Sequence, residues 1–415
     1  MRNIVLYLFL ASLNFETWKP FQMGDKMSLA KLLGWIYFLM MVPHFLADVR
    51  TSLRGPVLRP LWLFFGLFTV MNVLYSPGRH LVTWDWVSVF QNTLLFWFLV
   101  IHAQKDRLVL ENGMLSFALG AAAQTGMFLA DIGLEEVQGR ISIFEDNANT
   151  VGLRIGAGIV ILLLAIAQNR FKLGKWRYLL LLPLPSMLQF MVATGSRVSL
   201  IAFVLALVTG VGLFKTKRPL GKIVVLAGGA IVAFAIWLSV SASETLSNRL
   251  LSTFNDRDFA GRDEIWGNLL PLVAKHPFVG SGQTGYDRFC ELTFGYIVSP
   301  HNVLLEVLCY TGFVGLSLYL WFLWRVFQSG WQSYRAEGWL LPLVLWCPIV
   351  GCLLSGQVLV WKFVWCILAY NVGRPMPKPK LRVRRSATML PQPKPVISLA
   401  VTRQPKTTER AAPAT

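Results

Sequence analysis

The chain has 415 residues, of which 55% are hydrophobic and only 14% charged, and its mean hydropathy is +0.53. So little charge cannot cover the surface of a soluble domain of this length. The net charge of +18 could serve a nucleic-acid binder, but it collects in alternate loops between apolar blocks, which excludes nucleic acid as the partner and points to a membrane protein.

The apolar residues fall in blocks of roughly 18–22, the length at which a helix crosses a hydrocarbon core of about 30 Å. A closed barrel would show alternating segments of about ten residues, and none is present. The fold class expected is an all-α polytopic membrane protein with about twelve transmembrane helices. They are predicted near 3–17, 28–47, 58–75, 82–101, 112–131, 150–168, 177–193, 197–214, 222–240, 302–324, 339–354 and 357–372. Ile4–Leu13, following Met1 and Arg2, has the look of a signal-peptide core, but no A-x-A cleavage site follows, so it is read as the first span.

Basic residues occupy every second loop: Arg50, Arg54 and Arg59; Lys105 and Arg107; Arg170, Lys172, Lys175 and Arg177; Lys215, Lys217, Arg218 and Lys222; Arg325 and Arg335. The same side collects Arg374, Lys378, Lys380, Arg382, Arg384 and Arg385. The positive-inside rule makes that side cytoplasmic, with both termini there, in an inner (cytoplasmic) membrane. Residues 1–372 therefore form the membrane domain. Residues 373–415, rich in Pro, Lys and Arg, are expected to be a disordered cytoplasmic tail that serves topology or contacts anionic lipid.

Two segments on the opposite side exceed what a turn needs. Gly133–Asn149 is acidic and polar. The larger, 241–300, contains an amphipathic helix at Gly261–Lys275, whose Ile265, Trp266, Leu269, Leu270 and Val273 share a face. Pro271 is expected to kink it, and Pro277 to end it. Cys309, Cys347, Cys352 and Cys366 lie in predicted spans, and Cys290 alone in an outside loop, so no disulfide is expected. There is no CxxC and no paired ligand spacing, so neither a metal nor another cofactor is expected.

Four polar clusters converge on the outer face. In Thr194-Gly195-Ser196-Arg197, Ser196 caps the following helix and its N–H groups form an anion site beside Arg197; the alternative is a snorkelling anchor. In Gly261-Arg262-Asp263-Glu264, Arg262 opposes the helix dipole, which a bound phosphate or a neighbouring carboxylate would offset. In Ser299-Pro300-His301-Asn302, Ser at the N-cap and Pro at N1 would put His301 at N2, where the helix end favours the neutral imidazole a general base needs. A structural interfacial histidine is the alternative. Asn302 and Glu306 are i,i+4 neighbours able to hydrogen-bond, whereas Glu306 lies about 140° round the helix from His301. The fourth cluster is Arg140 with Glu145, Asp146, Asn147 and Asn149, where Asn149 can cap the sixth span. Gly280-Ser281-Gly282-Gln283-Thr284-Gly285 fits G-x-G-x-x-G, but with no preceding strand it reads as a loop, not a dinucleotide site. Lys362 lies mid-span in this assignment, a costly place for a lone charge; it marks a mis-drawn boundary or a contact to a lipid carrier.

The runs GRDEIWGNLLPLVAKHPFVGSG and SPHNVLLEVLCYTGFVGLSLYL, with TGSRVSLIAFVLAL and FEDNANTVGL before them, resemble the O-antigen ligase and O-antigen polymerase superfamily over roughly 140–325. The resemblance implies a C-type glycosyltransferase membrane fold with one larger periplasmic loop, transferring a glycan from a polyprenyl (undecaprenyl) diphosphate carrier to an acceptor hydroxyl. It implies inversion of the anomeric centre without metal. The partners implied are the carrier-linked glycan donor, a lipid or glycan acceptor, and membrane lipids. Arg197 and Arg262 match the family's diphosphate-binding arginines, and His301 its acceptor-activating or positioning histidine; Arg140, Asn149, Asn302 and Glu306 are candidate supporting residues. Ligase and polymerase are not separated by the sequence. A multi-span transporter, which should carry its ionisable residues near the membrane midplane, and a non-catalytic scaffold are the alternatives.

Overall fold

In this computed structural model the described residues are 1–20, 27–52, 55–76, 83–106, 108–215, 219–255 and 261–373. The predicted basic tail lies outside them. An apolar chain with so few side-chain partners for its backbone satisfies its amides within helices, and helices dominate the fold.

The first five are α1 (Arg2–Ser12), α2 (Leu29–Ser52), α3 (Leu58–Tyr75), α4 (Trp84–Lys105) and α5 (Val109–Leu129). A two-stranded antiparallel hairpin follows, β1 (Leu134–Val137) and β2 (Arg140–Ile143), with Val137 opposite Arg140. Next come α6 (Ala148–Gln168), α7 (Leu184–Ala193), α8 (Arg197–Leu213), α9 (Pro219–Ser241) and α10 (Glu244–Asn255). Then come α11 (Arg262–Lys275), α12 (Gly282–Phe294), α13 (Val303–Glu337), α14 (Leu341–Val344), α15 (Trp346–Ser355) and α16 (Lys362–Val372).

At the centre lies α6, in which every residue from Thr150 to Leu162 is buried. It packs on α5, α7, α8 and α15. A second cluster sets α3 against α13 and α12, and α4 against α16. Helices apolar on all sides are what a membrane interior selects; on the periphery, Trp35, Leu39 and Leu46 of α2 are exposed.

Among the described residues five helices are long and apolar enough to cross a membrane, Leu29–Asp48, Leu58–Tyr75, Asp85–Lys105, Ala148–Gln168 and Val303–Glu337. A sixth is added if the pair Gly228–Ser241 and Glu244–Ser252, bent by 92°, is one span. The shorter apolar helices Arg2–Phe15, Arg197–Leu213, Leu341–Ser355 and Lys362–Val372 stand where four more spans are predicted. The chain is thus a helical membrane protein, with fewer helices of full spanning length among the described residues than the sequence blocks imply. Prolines are one reason: Gly174–Leu181 coils as a 3-10 helix and α7 begins only after Pro183.

Other expectations need correcting. The glycine-rich stretch is not a loop: Gly282 opens α12. The amphipathic helix is present, but α11 runs through Pro271. Lys362 is not mid-span; it begins α16 and pairs with Glu16, so a boundary had been drawn too early.

Helix α13 is interrupted at Gly312, where φ is 61° and ψ −167°. The break exposes backbone groups that the segment before α12 takes up. Phe313 N–H donates to the Pro277 carbonyl (2.8 Å) and Val314 N–H to that of Phe278 (3.0 Å). Ser281 N–H donates to the carbonyl of Cys309 (2.9 Å). A Cβ at Gly312 would lie 2.3 Å from the Phe278 backbone, and one at Gly280 2.4 Å from that of Tyr310. The G-x-G and T-G motifs are thus two halves of one backbone joint, where only glycine fits.

Candidate functional site

The end of the bundle carrying residues 261–302 gathers the candidate residues. At its centre is the turn Thr194–Ser196. Gly195 adopts φ 59°, and Ser196 caps α8 by accepting from Ser199 N–H (3.3 Å), as the sequence implies.

Arginines flank this turn on both sides. From β2, Arg140 donates through Nε to the Thr194 carbonyl (3.0 Å) and through Nη2 to Asn149 Oδ1 (2.8 Å). From α10, Arg249 donates to the Gly195 carbonyl (3.2 Å). Arg197, at the start of α8, donates in turn to the Arg249 carbonyl (3.0 Å). Arg262 opens α11 after Gly261, which is left-handed and offers no side-chain cap. Among the described residues Arg262 makes no ion pair, so the simple pairing with Asp263 or Glu264 is not what holds it.

These four guanidinium groups repel one another. Burial, then Arg249, Arg197 and Arg262, bring Arg140 down to about 10. Burial, then Arg197 and Arg249, lower Arg262 as well. Like charges gathered at half-buried positions cost free energy, and a multivalent anion bound among them would relieve it.

His301 stands at the edge of this field. Burial and then the Arg262 charge hold its pKa below the ordinary value. Its placement differs from the expectation: it is not at N2 but precedes α13, which starts at Val303. The N-cap is Asn302, whose Oδ1 accepts from Leu304 N–H (3.0 Å) and Leu305 N–H (3.2 Å). Asn302 therefore outcompetes Ser299 as the cap, and Ser299 Oγ instead accepts from His301 N–H (3.2 Å). His301 itself sits in the left-handed region at φ 47°, a strained conformation for a non-glycine residue that surrounding structure must impose. It is imposed from both sides: Trp266 Nε1 donates to the Pro300 carbonyl (2.8 Å) and Tyr286 Oη to that of Val298 (2.6 Å).

The supporting candidates divide. Asn149 does not cap α6; Asn147 does, accepting from Asn149 N–H, which frees the Asn149 side chain for Arg140. Asn302 and Glu306 do not join side chains. Glu306 Oε1 instead accepts from Tyr310 Oη (3.4 Å), which also donates to Asp85 (3.1 Å). Arg140 and Asn149 thus join the arginine cluster, Asn302 shapes the His301 turn, and Glu306 belongs to a separate buried acidic group.

Two residues escaped the sequence reading. Arg249 lies on the strongly amphipathic α10, whose polar face could have flagged it. Arg154 is fully buried (0% exposed) in α6 and pairs with Asp146; a charge inside an apolar span was the available signal.

A bundle of apolar helices, with a hairpin, short helices and clustered arginines at one end, defines a helical membrane protein. Residues 182–320 match the family model described as O-Antigen ligase. The chain is also 26% identical over 151 residues to an O-antigen ligase of Pseudomonas aeruginosa. That alignment covers 36% of this chain, which spans about a third (34%) of the length of the curated relative it matches.

Proposed function

We propose that the protein is a glycosyltransferase that moves a glycan from a polyprenyl diphosphate carrier to an acceptor hydroxyl at the periplasmic face of the inner membrane. The observation that carries this reading is the convergence of Arg140, Arg197, Arg249 and Arg262 at one end of the bundle, with His301 within electrostatic reach of Arg262.

In this mechanism Arg197 and Arg262 hold the diphosphate through planar forks of donors that cannot lose their charge at neutral pH. Arg140 and Arg249 lock the turn that presents Arg197 and add positive potential. As the glycosidic C–O bond breaks, negative charge accumulates on the departing diphosphate, and preorganised guanidinium groups stabilise it most at that moment. His301 accepts the acceptor's proton as its oxygen attacks the anomeric carbon from the opposite face, which inverts that centre. The arrangement of about twelve spans with both termini cytoplasmic belongs to the same proposal.

The test is transfer of a lipid-linked glycan by purified protein in detergent. Wild-type turnover with loss in both Arg197→Ala and His301→Ala supports the reading. Undiminished transfer in His301→Ala removes the histidine from the mechanism.

A further inference from the structure

The mechanism above leaves Arg154 unused, although it lies fully buried in α6, where a guanidinium persists only if it has partners. Its fork divides between two elements. Nη1 donates to the Leu13 carbonyl, just where α1 has ended and its last carbonyls need donors. Nη2 pairs with Asp146, in the turn that leads from β2 into α6. The cation is thus matched by a carboxylate, which makes Arg154 a brace and not an anion site.

The turn it braces is strained. Phe144 and Glu145 are consecutive left-handed residues, with φ 54° and 60°, a conformation that surrounding structure must impose. Phe144 N–H donates to the Gly133 carbonyl (2.8 Å) and its ring stacks on Trp18 (5.4 Å). The Arg154–Asp146 pair holds the other end. From Asp146 a chain of bonds runs outward: its Oδ1 accepts from Asn147 N–H (2.7 Å), Asn147 Oδ1 from Asn149 N–H (2.9 Å), and Asn149 Oδ1 from Arg140 Nη2 (2.8 Å). The Asn149 carbonyl also accepts from Ser199 Oγ (3.2 Å), on the helix that Arg197 opens. Asp146, Asn147 and Asn149 thus link a buried guanidinium to one of the four clustered arginines.

We propose that Arg154 and Asp146 are positioning residues for the donor diphosphate, holding Asn149 where it fixes Arg140 against the Thr194 turn. The inference rests on the diphosphate reading of the arginine cluster. It adds that this cluster is braced from inside the bundle, by contacts reaching back to Leu13 at the end of α1.

The test is a double-mutant cycle, read by binding of undecaprenyl diphosphate to the purified full chain. Asp146→Asn keeps an oxygen for Asn147 N–H but removes the charge opposite Arg154. It should weaken binding about tenfold, the scale of one charged contact. In an Arg140→Ala background the same substitution should cost nothing further, because the pair acts through Arg140. Arg154→Lys, whose single nitrogen does not span both partners, should behave in the same way. It keeps the charge opposite Asp146, so it carries the cycle if Asp146→Asn, which leaves a buried cation uncompensated, fails to fold. Equal losses in the two backgrounds would mean that the pair only supports the fold, and unchanged binding would mean that it positions nothing; either overturns the inference. A wild-type chain that does not bind undecaprenyl diphosphate sinks the diphosphate reading itself, so the two failures are told apart.

Discussion

The indole Nε1 of Trp266 donates to the carbonyl of Pro300 at 2.8 Å, and this one bond ties the helix that begins with Arg262 to the strained turn that carries His301. Trp266 is one turn into α11, so the bond fixes the distance between the proposed leaving-group and acceptor sites. Trp266→Phe keeps the ring and deletes the donor. Transfer should fall by up to about tenfold, the worth of a single hydrogen bond, while lipid-diphosphate binding is retained. Loss of both together would mean the bond supports the fold rather than the alignment.

Arg197→Lys and Arg262→Lys should each lower transfer by roughly 10²–10³, because a point charge does not replace a fork of donors at a developing charge. Arg249→Ala should lower it less, since its side chain braces the Gly195 carbonyl from outside. Initial rates at saturating donor will rank the three. Full activity in both Lys variants would mark these arginines as membrane anchors.

The pH profile follows from His301. In the proposed mechanism the neutral imidazole is the active form, and burial together with Arg262 lowers its pKa from 6.5. Activity is therefore present at neutral pH and lost as pH falls through a value under 6.5. In Arg262→Gln the residual activity should lose its acid limb at higher pH than wild type, because one of the two causes is gone. His301→Gln separates roles, since it can orient a hydroxyl but cannot take its proton at neutral pH. A dead Gln variant with normal donor binding supports base catalysis; a largely active one supports positioning.

Topology is open to a direct measurement. A tag inserted at Thr216 should be cytoplasmic and one near Ser243 periplasmic, because α9 alone separates them. Accessibility to a membrane-impermeant thiol reagent, after cysteine substitution at each place, reads the side. Labelling on the same side would refute the alternating arrangement.

Much of the fold was legible because apolar blocks and basic loops are written in composition: most predicted spans have a helix within a few residues of the expected ends. The hairpin over Leu134–Ile143 and helix α10 were not, since short polar elements carry weak periodic signals. Arg197, Arg262 and His301 were legible as motifs, but their setting was not. The choice of Asn302 over Ser299 as the cap depends on which carbonyls Trp266 and Tyr286 capture. The role of Arg249 depends on the 92° bend that folds α10 back over the Thr194 turn. Both are tertiary outcomes, decided by residues far apart in sequence.

The joint between Pro277–Ser281 and the interruption at Gly312 has a consequence for how the chain is made. Residues 262–300 leave the ribosome before the carbonyl of Cys309 and the amides of Phe313 and Val314 exist for them to bond. The segment Pro277–Ser281 cannot acquire its native anchoring until α13 has been synthesised past Val314 and threaded into the bilayer. A nascent chain arrested at Leu308 should therefore leave the 262–300 segment open to protease, and one extended through Glu337 should protect it. Completion of the membrane helix would then be the event that assembles the proposed site.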